Sequence, residues 1–253
     1  MKVFYFSASG NSMYVAKSLG GEAVSIPSVM KKGSPEVRDD AVGIVCPVYF
    51  GDVPKMVRKF IQEAKIETDY LFVLITYGFN PSSALQMADR RLKEAGLHSD
   101  YISKILMVDN FVNEFEVGAE LKKKSSEKID AQITAIRADL DARKKKPLGF
   151  SFSASVAGPV MRKLGVKGIA DDKAQSYLVN DNCVHCGICA KVCPADNITV
   201  NGSKPVFSNH CEVCYACVHN CPKNAIHVKE EKSGLRFRNE HVKITDLIAA
   251  NNT

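Results

Sequence analysis

The sequence has no apolar stretch as long as a membrane-spanning helix. The best candidate, residues 148–161, is short, rich in Ser and Gly, and followed by Arg162 and Lys163. The N-terminus also lacks the charged region, apolar core and cleavage site of a secretory signal. We therefore predict a cytoplasmic protein without a membrane span, in a compartment that keeps its thiols reduced.

Two common nucleotide-binding motifs are also missing. The sequence contains neither the G-x4-G-K-[ST] loop of ATP-binding proteins nor the G-x-G-x-x-G turn of dinucleotide-binding domains, so we predict no direct use of NAD(P). The net charge of +6 is spread over the whole chain. Its basic runs, 122–124 and 143–146, lie near the ends of one polar helical segment and are interpreted as a solvated helix face. Nucleic acid is therefore not a predicted partner.

Cysteine, in contrast, is concentrated in one part of the chain. Eight of the nine cysteines form two copies of the pattern C-x2-C-x2-C-x3-C-P, offset by 28 residues. This run is typical of proteins with two [4Fe–4S] clusters, in which the fourth cysteine of each run binds the other run's cluster. The pattern predicts one cluster on Cys183, Cys186, Cys189 and Cys221, and another on Cys193, Cys211, Cys214 and Cys217.

The same offset relates residues that cannot bind metal. Ile198 corresponds to Ile226 and Val200 to Val228, which indicates an internal duplication with one ligand loop and one short strand per copy. Zinc is the main competing interpretation, although a four-cysteine zinc site needs neither the third closely spaced cysteine nor the trailing proline. Disulfides are disfavoured in a chain without a secretory signal. The ninth cysteine, Cys46, is predicted to be a buried thiol.

The first 110 residues alternate apolar runs with amphipathic segments, as a parallel α/β sheet requires. Strands are predicted near residues 2–6, 23–26, 41–46, 70–76 and 101–108. Helices are predicted near residues 11–19, 54–64, 82–95 and 119–146. Five strands with right-handed crossovers predict a doubly wound parallel sheet, whose ligand site lies at the C-terminal ends of the strands.

The loop after the first predicted strand is rich in hydroxyl groups and leads directly into a helix. Its backbone N–H groups and hydroxyls can hold an anion, and because the loop has no cation it suits the terminal phosphate of a mononucleotide. A structural turn with N-capping serines is the alternative. The candidate phosphate-binding residues are Ser7, Ser9, Gly10, Asn11 and Ser12.

The third and fourth strands end in loops that combine aromatic residues with glycine. Aromatic faces can stack on a flat heterocycle, and glycine lets the backbone approach its edge. Together with the phosphate loop, these loops predict a flavin site. The loop at 109–116, after the fifth strand, is interpreted as an ordinary surface loop, with flavin contact as the alternative. The candidate residues of the two aromatic loops are Pro47, Tyr49, Phe50, Gly51, Thr76, Tyr77 and Gly78.

Residues 1–146 resemble a flavodoxin, because the Ser9–Ser12 segment matches its T/S-G-N-T/S phosphate motif, and residues 177–230 resemble a bacterial two-cluster ferredoxin. The whole resembles the flavodoxin–ferredoxin fusion proteins of anaerobes. This resemblance implies FMN, with the hydroxyl-rich loop around its phosphate. It also implies that Tyr49 or Phe50, with Tyr77, lies against the isoalloxazine ring, and that Gly51, Thr76 and Gly78 line its edge. Free flavodoxins and ferredoxins are acidic whereas this chain is basic, so docking through an acidic surface is not implied.

The predicted organisation has four parts. A flavodoxin-like α/β domain covers residues 1–147, where Pro147 ends the last helix. Residues 148–176 are interpreted as a linker, and residues 177–230 as a small α+β ferredoxin-like domain. Residues 231–253 form a charged tail with a short amphipathic stretch at 244–250 that is expected to dock on the rest.

These features predict an electron-transfer iron–sulfur flavoprotein that passes electrons between two [4Fe–4S] clusters and FMN. One alternative is a flavin-dependent reductase of a small organic acceptor such as a quinone, with the clusters as its electron input. Another is a non-catalytic cluster protein whose N-terminal domain binds a partner. The predicted partner is a redox protein or a small-molecule electron acceptor. The sequence indicates neither a catalytic residue nor an oligomeric state.

Overall fold

The computed structural model describes residues 1–148 and 177–252. Its largest element is a parallel sheet of five strands, in the spatial order β2-β1-β4-β6-β7. Counted along the chain within this sheet, the order is 2-1-3-4-5, which is the flavodoxin-like arrangement of a doubly wound sheet. The predicted fold class is confirmed. The strands are β1 (Lys2–Tyr5), β2 (Glu22–Ser25), β4 (Val42–Pro47), β6 (Leu71–Tyr77) and β7 (Tyr101–Leu106).

Both faces of this sheet are buried, because successive side chains of a strand point to opposite sides. On β6, Phe72 and Leu74 pack on one face, while Val73 and Ile75 pack on the other. Cys46 is fully buried on the second face, as predicted. A small parallel pair, β3 (Glu36–Arg38) and β5 (Lys65–Glu67), lies outside the main sheet.

Helices cover both faces of the sheet. The first face packs against α1 and α6, and the second against α3 and α4. The predicted helix at 119–146 is wrong as one element: it is two helices with a break at Lys124 and Ser125. Lys124 adopts an extended conformation, and the Ser125 hydroxyl caps the next helix by accepting the Lys128 N–H at 3.4 Å. The helices are α1 (Asn11–Ser18), α2 (Ile26–Lys31), α3 (Lys55–Glu63), α4 (Ala84–Glu94), α5 (Val117–Lys123) and α6 (Ser126–Asp141).

The cysteine-rich segment repeats its backbone at the predicted offset of 28 residues. The helices α7 (Ile188–Lys191) and α8 (Ala216–His219) correspond residue for residue. Left-handed backbone recurs at the same offset, in the pairs His185 and Val213, Gly187 and Tyr215, and Asp196 and Asn224. The duplication is therefore present in the fold. The strands form two antiparallel pairs, β8 (Tyr177–Val179) with β11 (Ile226–Val228) and β9 (Ile198–Thr199) with β10 (Val206–Phe207).

The C-terminal helix α9 (Ile244–Asn252) packs against both the sheet and the cysteine-rich module, so the tail docks as expected. Ser25 donates a hydrogen bond to the Ala250 carbonyl, and the Asn251 amide donates to the Val192 carbonyl at 2.8 Å. Lys31 forms an ion pair with Asp196 at 2.6 Å. The two modules and the tail share one hydrophobic cluster, which includes Val3, Leu74, Val192, Ala216 and Leu247.

The predicted linker lies outside the described residues, apart from Leu148. The boundaries at 147 and 177 therefore stay predictions. Within residues 1–148 and 177–252, the helices are too short or too polar to cross a membrane.

Candidate functional site

A large open cavity lies at the C-terminal edge of the main sheet, where this topology places ligands. The open space in it, counted out to the mouth and including solvent, is about 1050 Å³. The loops after β1, β4, β6 and β7 line it, together with residues 213–215 of the cysteine-rich module. All twelve residues predicted for the flavin line this cavity except Gly10.

The hydroxyl-rich loop forms a neutral turn at the start of α1. The Gly10 N–H donates to the Ser7 hydroxyl at 3.2 Å, and the Tyr14 N–H donates to the Gly10 carbonyl at 2.8 Å. The N–H groups of the first helical turn have no intrahelical acceptor, which makes this end of the helix suitable for an anion. The Ser12 and Thr76 hydroxyls are 2.9 Å apart, so the loop is tied to the end of β6.

Gly10, which does not line the cavity, is covered by the C-terminal tail. Its φ of 101° favours glycine, and a Cβ there would lie 3.0 Å from the Cβ atoms of Asn239 and Val242. The Asn239 N–H donates to the Ser9 carbonyl at 2.8 Å, and its side-chain amide donates to Asn11 Oδ1 at 3.1 Å. The tail therefore supports the predicted phosphate loop from outside, and no local sequence motif indicates this contact.

Replacing Asn239 by alanine is expected to weaken binding of the predicted FMN about five-fold, because one hydrogen bond to Asn11 is lost while the backbone bond to Ser9 remains. Fluorescence titration of the protein with FMN measures the change. The exposed Asn201 provides a matched control, since the same substitution there leaves the phosphate loop untouched. Equal affinities for both variants would show that the Asn239 side chain does not contribute to flavin binding.

The aromatic loop after β4 forms a tight turn beside the cavity. The backbone groups of Tyr49 and Asp52 bond each other in both directions, at 2.8 and 3.0 Å. The Tyr49 ring meets Phe6 edge to face, and burial raises the pKa of its phenol well above the usual range. Phe50 adopts a left-handed φ of 51° and is 53% exposed at the mouth. The turn thus presents one half-buried ring, Tyr49, and one exposed ring, Phe50, to the cavity.

Gly78 lies against Asp109, which fixes the width of the cavity at the end of β6. A Cβ on Gly78 would lie 2.3 Å from the Cβ and Oδ2 atoms of Asp109. The Asp109 carboxylate accepts the Phe111 N–H at 3.0 Å, and burial raises its pKa. Lys124 donates to the Gly78 carbonyl at 2.5 Å. Any larger residue at position 78 would push the loop after β6 away from the loop after β7.

The loop at 109–116 lines the cavity with Asp109, Asn110, Phe111 and Phe115. Its interpretation as an ordinary surface loop is therefore wrong. The two aromatic residues after the fifth strand were the available signal. The sequence alone does not show that the cysteine-rich module packs against this loop and turns it toward the cavity.

His219 and Tyr215 of the cysteine-rich module hold that loop. His219 Nδ1 accepts the Phe237 N–H at 3.2 Å, so its Nε2 carries the proton that is donated to the Asn110 carbonyl at 2.8 Å. Burial lowers the pKa of this imidazole to about 4, and it is neutral at pH 7. The Tyr215 hydroxyl donates to Asn113 Oδ1 at 2.7 Å. The loop is thus fixed at two points by the other module.

The eight cysteines of the two runs surround two separate cavities. Counting open solvent at their mouths, one encloses about 350 Å³ and the other about 290 Å³. Within the described ranges, no three or more His, Cys, Asp or Glu side chains are arranged to hold a single metal ion. The larger cavity is lined by Cys183, Cys186, Cys189 and Cys221, and the smaller by Cys193, Cys211, Cys214 and Cys217.

Backbone N–H groups point at several of these sulfur atoms. The Asn197 N–H lies 3.3 Å from the sulfur of Cys193, and the Ala225 N–H lies 3.2 Å from that of Cys221, again at the 28-residue offset. Burial raises the pKa of Cys217 well above its ordinary value. A buried thiolate is therefore costly unless a metal centre compensates its charge. The donors and the burial together suit thiolates that ligate a cluster.

Cys214 lines both the smaller cysteine cavity and the large cavity at the sheet edge. Its neighbour Tyr215 also lines both. On the other side, Glu212 reaches the start of α3, where its carboxylate accepts the Met56 N–H at 3.3 Å. Residues 213–215 are thus the part of the cysteine-rich module that forms a wall of the large cavity.

Comparison with known proteins assigns the cysteine-rich module. Residues 176–222 match the family model described as "4Fe-4S dicluster domain". A segment of 58 residues is 40% identical to pyruvate synthase subunit PorD of Methanocaldococcus jannaschii, covering 22% of this chain and 67% of that protein. The chain belongs to this 4Fe–4S dicluster family and, with its flavodoxin-like sheet, is a flavodoxin–ferredoxin fusion.

Solved structures similar to the N-terminal part include two flavoproteins. The two-electron reduced flavodoxin of Megasphaera elsdenii is 15% identical, covering 41% of this chain and 83% of that one with a TM-score of 0.32. A flavoprotein in complex with FMN from Lactobacillus acidophilus is 11% identical, covering 41% and 91% with a TM-score of 0.31. With TM-scores this low, the fold assignment rests on the strand order. The fusion is an iron–sulfur redox protein that carries electrons.

Proposed function

We propose that this protein passes electrons between two [4Fe–4S] clusters and an FMN bound at the sheet edge. The observation that carries the proposal is the position of Cys214, which lines both the smaller cysteine cavity and the large cavity. Cys214 would then be both a ligand of the second cluster and part of the wall of the FMN cavity. When bound, the clusters would supply one-electron centres and FMN a centre that takes one or two electrons.

The residues of the large cavity fit FMN. The neutral loop at the start of α1 would hold the terminal phosphate with hydroxyl and N–H groups. The rings of Tyr49 and Tyr77 would lie against the isoalloxazine, whose edge would approach the backbone where Gly78 leaves no side chain in the way. Asp109 is the one carboxylic acid among the described lining residues, and burial raises its pKa.

The two cysteine cavities fit [4Fe–4S] clusters in the ligand sets given by the sequence. Each cavity brings together three cysteines of one run and one of the other, as the dicluster pattern requires. The larger of the two cysteine cavities lies at the surface, where Cys186 and Val184 are exposed. The smaller lies against the flavin cavity. An external redox partner would therefore meet the first cluster, and the second would connect it to the flavin.

The relative with the cluster module supports an enzyme as the partner at the exposed end. PorD is by its name a subunit of pyruvate synthase, and the likeness covers the cluster module of this chain. A redox enzyme that releases or accepts single electrons is thus a suitable class of partner for the exposed cluster. The flavin end would serve a second redox protein or a small acceptor.

The proposal is tested by purifying the protein without oxygen and measuring flavin, iron and sulfide on one sample. We expect flavin absorbance bands that survive gel filtration and about eight irons per chain. Broad iron–sulfur absorbance without flavin would refute the FMN assignment. An iron content near four would refute the second cluster, and zinc in place of iron would refute both.

A second candidate function is supported by the open mouth of the large cavity. Phe79 is 74% exposed there and packs against Phe115 with a ring-centroid distance of 5.7 Å. The exposed ring of Phe50 also lines this cavity. Such rings suit a planar organic acceptor such as a quinone. Saturable steady-state reduction of a quinone, with electrons supplied through the clusters, would indicate a reductase rather than a carrier.

A further inference from the structure

Tyr215 has a backbone conformation that its side chain disfavours. Its φ of 58° lies in the left-handed region, and the equivalent residue in the first half of the repeat is Gly187, with a φ of 73°. Glycine adopts this conformation freely, whereas a residue with a Cβ does so at a cost. The fold therefore tolerates glycine at this position in one copy and carries a strained tyrosine in the other. Strain of this kind concentrates at functional sites.

The Tyr215 side chain makes specific contacts rather than filling a gap. Its ring stacks on Phe111 with a centroid distance of 5.7 Å and an interplanar angle of 17°. Phe111 in turn meets Phe50 edge to face at 5.5 Å. The Tyr215 hydroxyl donates to Asn113. One residue thus orders two rings and one loop along the wall of the large cavity.

Tyr215 also follows Cys214 directly in the chain, and both residues line the two cavities. Tyr215 is only 3% exposed. A shift of its ring would therefore move the wall of the flavin cavity at the point where a cluster ligand borders it. The corresponding first-copy residue, Gly187, borders the larger cysteine cavity, which is the outer of the two, but neither the large cavity at the sheet edge nor the smaller cysteine cavity. The tyrosine is present only in the copy that faces the flavin.

We propose that Tyr215 is the positioning residue that couples the second cluster loop to the flavin site. Its ring fixes Phe111 as part of the flavin wall, and its hydroxyl fixes the 109–116 loop. The flavin is thereby held next to Cys214. This inference rests on the proposed function, because it requires FMN in the large cavity.

The test compares Tyr215→Gly, Tyr215→Phe and wild type as cluster-loaded protein without oxygen. Glycine suits the backbone, as Gly187 shows, so we expect unchanged iron content. Because ring and hydroxyl are both lost, we expect FMN affinity to fall at least ten-fold, with a shifted flavin midpoint potential. Tyr215→Phe keeps the ring and loses one hydrogen bond, so its affinity should fall about five-fold.

A second measurement does not depend on FMN. Amide hydrogen exchange in the 109–116 loop should become faster in both variants, because Asn113 loses its bond to the hydroxyl. Tyr177 provides the matched control: its hydroxyl lies 3.4 Å from the sulfur of Cys211, but its ring is outside the flavin cavity. Tyr177→Phe should leave both the exchange of this loop and FMN affinity unchanged.

The outcomes separate the two proposals. If wild type binds no FMN, the proposed function fails, and this inference fails with it. If wild type binds FMN and both Tyr215 variants keep its affinity, potential and loop exchange, only the coupling role is refuted. If Tyr215→Gly loses iron, the coupling role is judged from Tyr215→Phe alone, because this variant keeps the fold and the ring packing. Unchanged FMN affinity, potential and loop exchange in Tyr215→Phe would then refute the role.

Discussion

Replacing Cys217 by alanine is expected to lower the iron content from about eight to about four atoms per chain. Cys217 lines the smaller cavity, where it would bind one iron of the second cluster together with Cys193, Cys211 and Cys214. The loss of one thiolate exposes a cluster corner that the protein cannot hold. Iron and sulfide analysis of protein purified without oxygen measures the effect.

The same substitution should also destabilise the module. The second cluster would connect Cys193 of the first run to three cysteines of the second, so its loss removes a cross-link between the two halves of the repeat. FMN affinity should fall as well, because Cys214 and Tyr215 form part of the wall of the cavity proposed for FMN. Thermal unfolding and FMN titration report these two effects separately.

Two cysteine variants serve as controls for Cys217→Ala. Cys46→Ala makes the same chemical change at a buried thiol of the main sheet, and it should leave about eight irons in place. Cys189→Ala should also lower iron to about four, but with little effect on FMN, because Cys189 lines only the outer cysteine cavity among those described. Eight irons in Cys217→Ala, or equal flavin loss in Cys189→Ala, would contradict the assigned ligand sets.

Replacing Gly78 by alanine is expected to lower FMN affinity by roughly ten- to a hundred-fold. The added Cβ would lie 2.3 Å from the Cβ of Asp109 and 2.4 Å from its Cα, so the backbone must move. Overpacking of this kind costs about 1–3 kcal/mol, and here the strain falls on the two loops that form the flavin edge. FMN titration followed by protein fluorescence measures the affinity.

Gly96→Ala is the control for this variant. A Cβ on Gly96 would have no neighbour within 4 Å, but the φ of 75° at this position disfavours alanine. The substitution should therefore reduce the free energy of unfolding by about 1 kcal/mol without changing FMN affinity. Wild-type affinity in Gly78→Ala would show that the close approach of Asp109 is not part of the flavin site.

The local patterns were sufficient to predict the sheet, and to predict that three of its loops would lie together at one edge. Continuous apolar strands such as Leu71–Tyr77 can only be buried on both faces, and the hydroxyl-rich turn indicates the helix that follows it. The break at Lys124 and Ser125 was not predicted because the polar residues around it suit helix interior and helix end alike. At the break, Lys124 donates a hydrogen bond to the Gly78 carbonyl, a contact distant in sequence that no local pattern indicates.

The remaining parts of the site could not be predicted, because they also depend on contacts between residues that are distant in sequence. Asn239 and Tyr215 reach the proposed flavin site through the packing of one module on the other, and neither lies in a motif for flavin binding. In the sequence, Tyr215 is only a spacer residue between two cysteines. Its significance appears when its backbone is compared with that of Gly187.

The support of the phosphate loop by the C-terminal tail has a consequence for how the protein is made. Asn239 is synthesised 228 residues after Asn11, the loop residue to which its side chain donates. Val242, which covers Gly10, is made later still. Until both have left the ribosome, the phosphate loop lacks its outer support. Stable FMN loading is therefore expected to be a late event in biosynthesis, which follows docking of the cluster module and its tail.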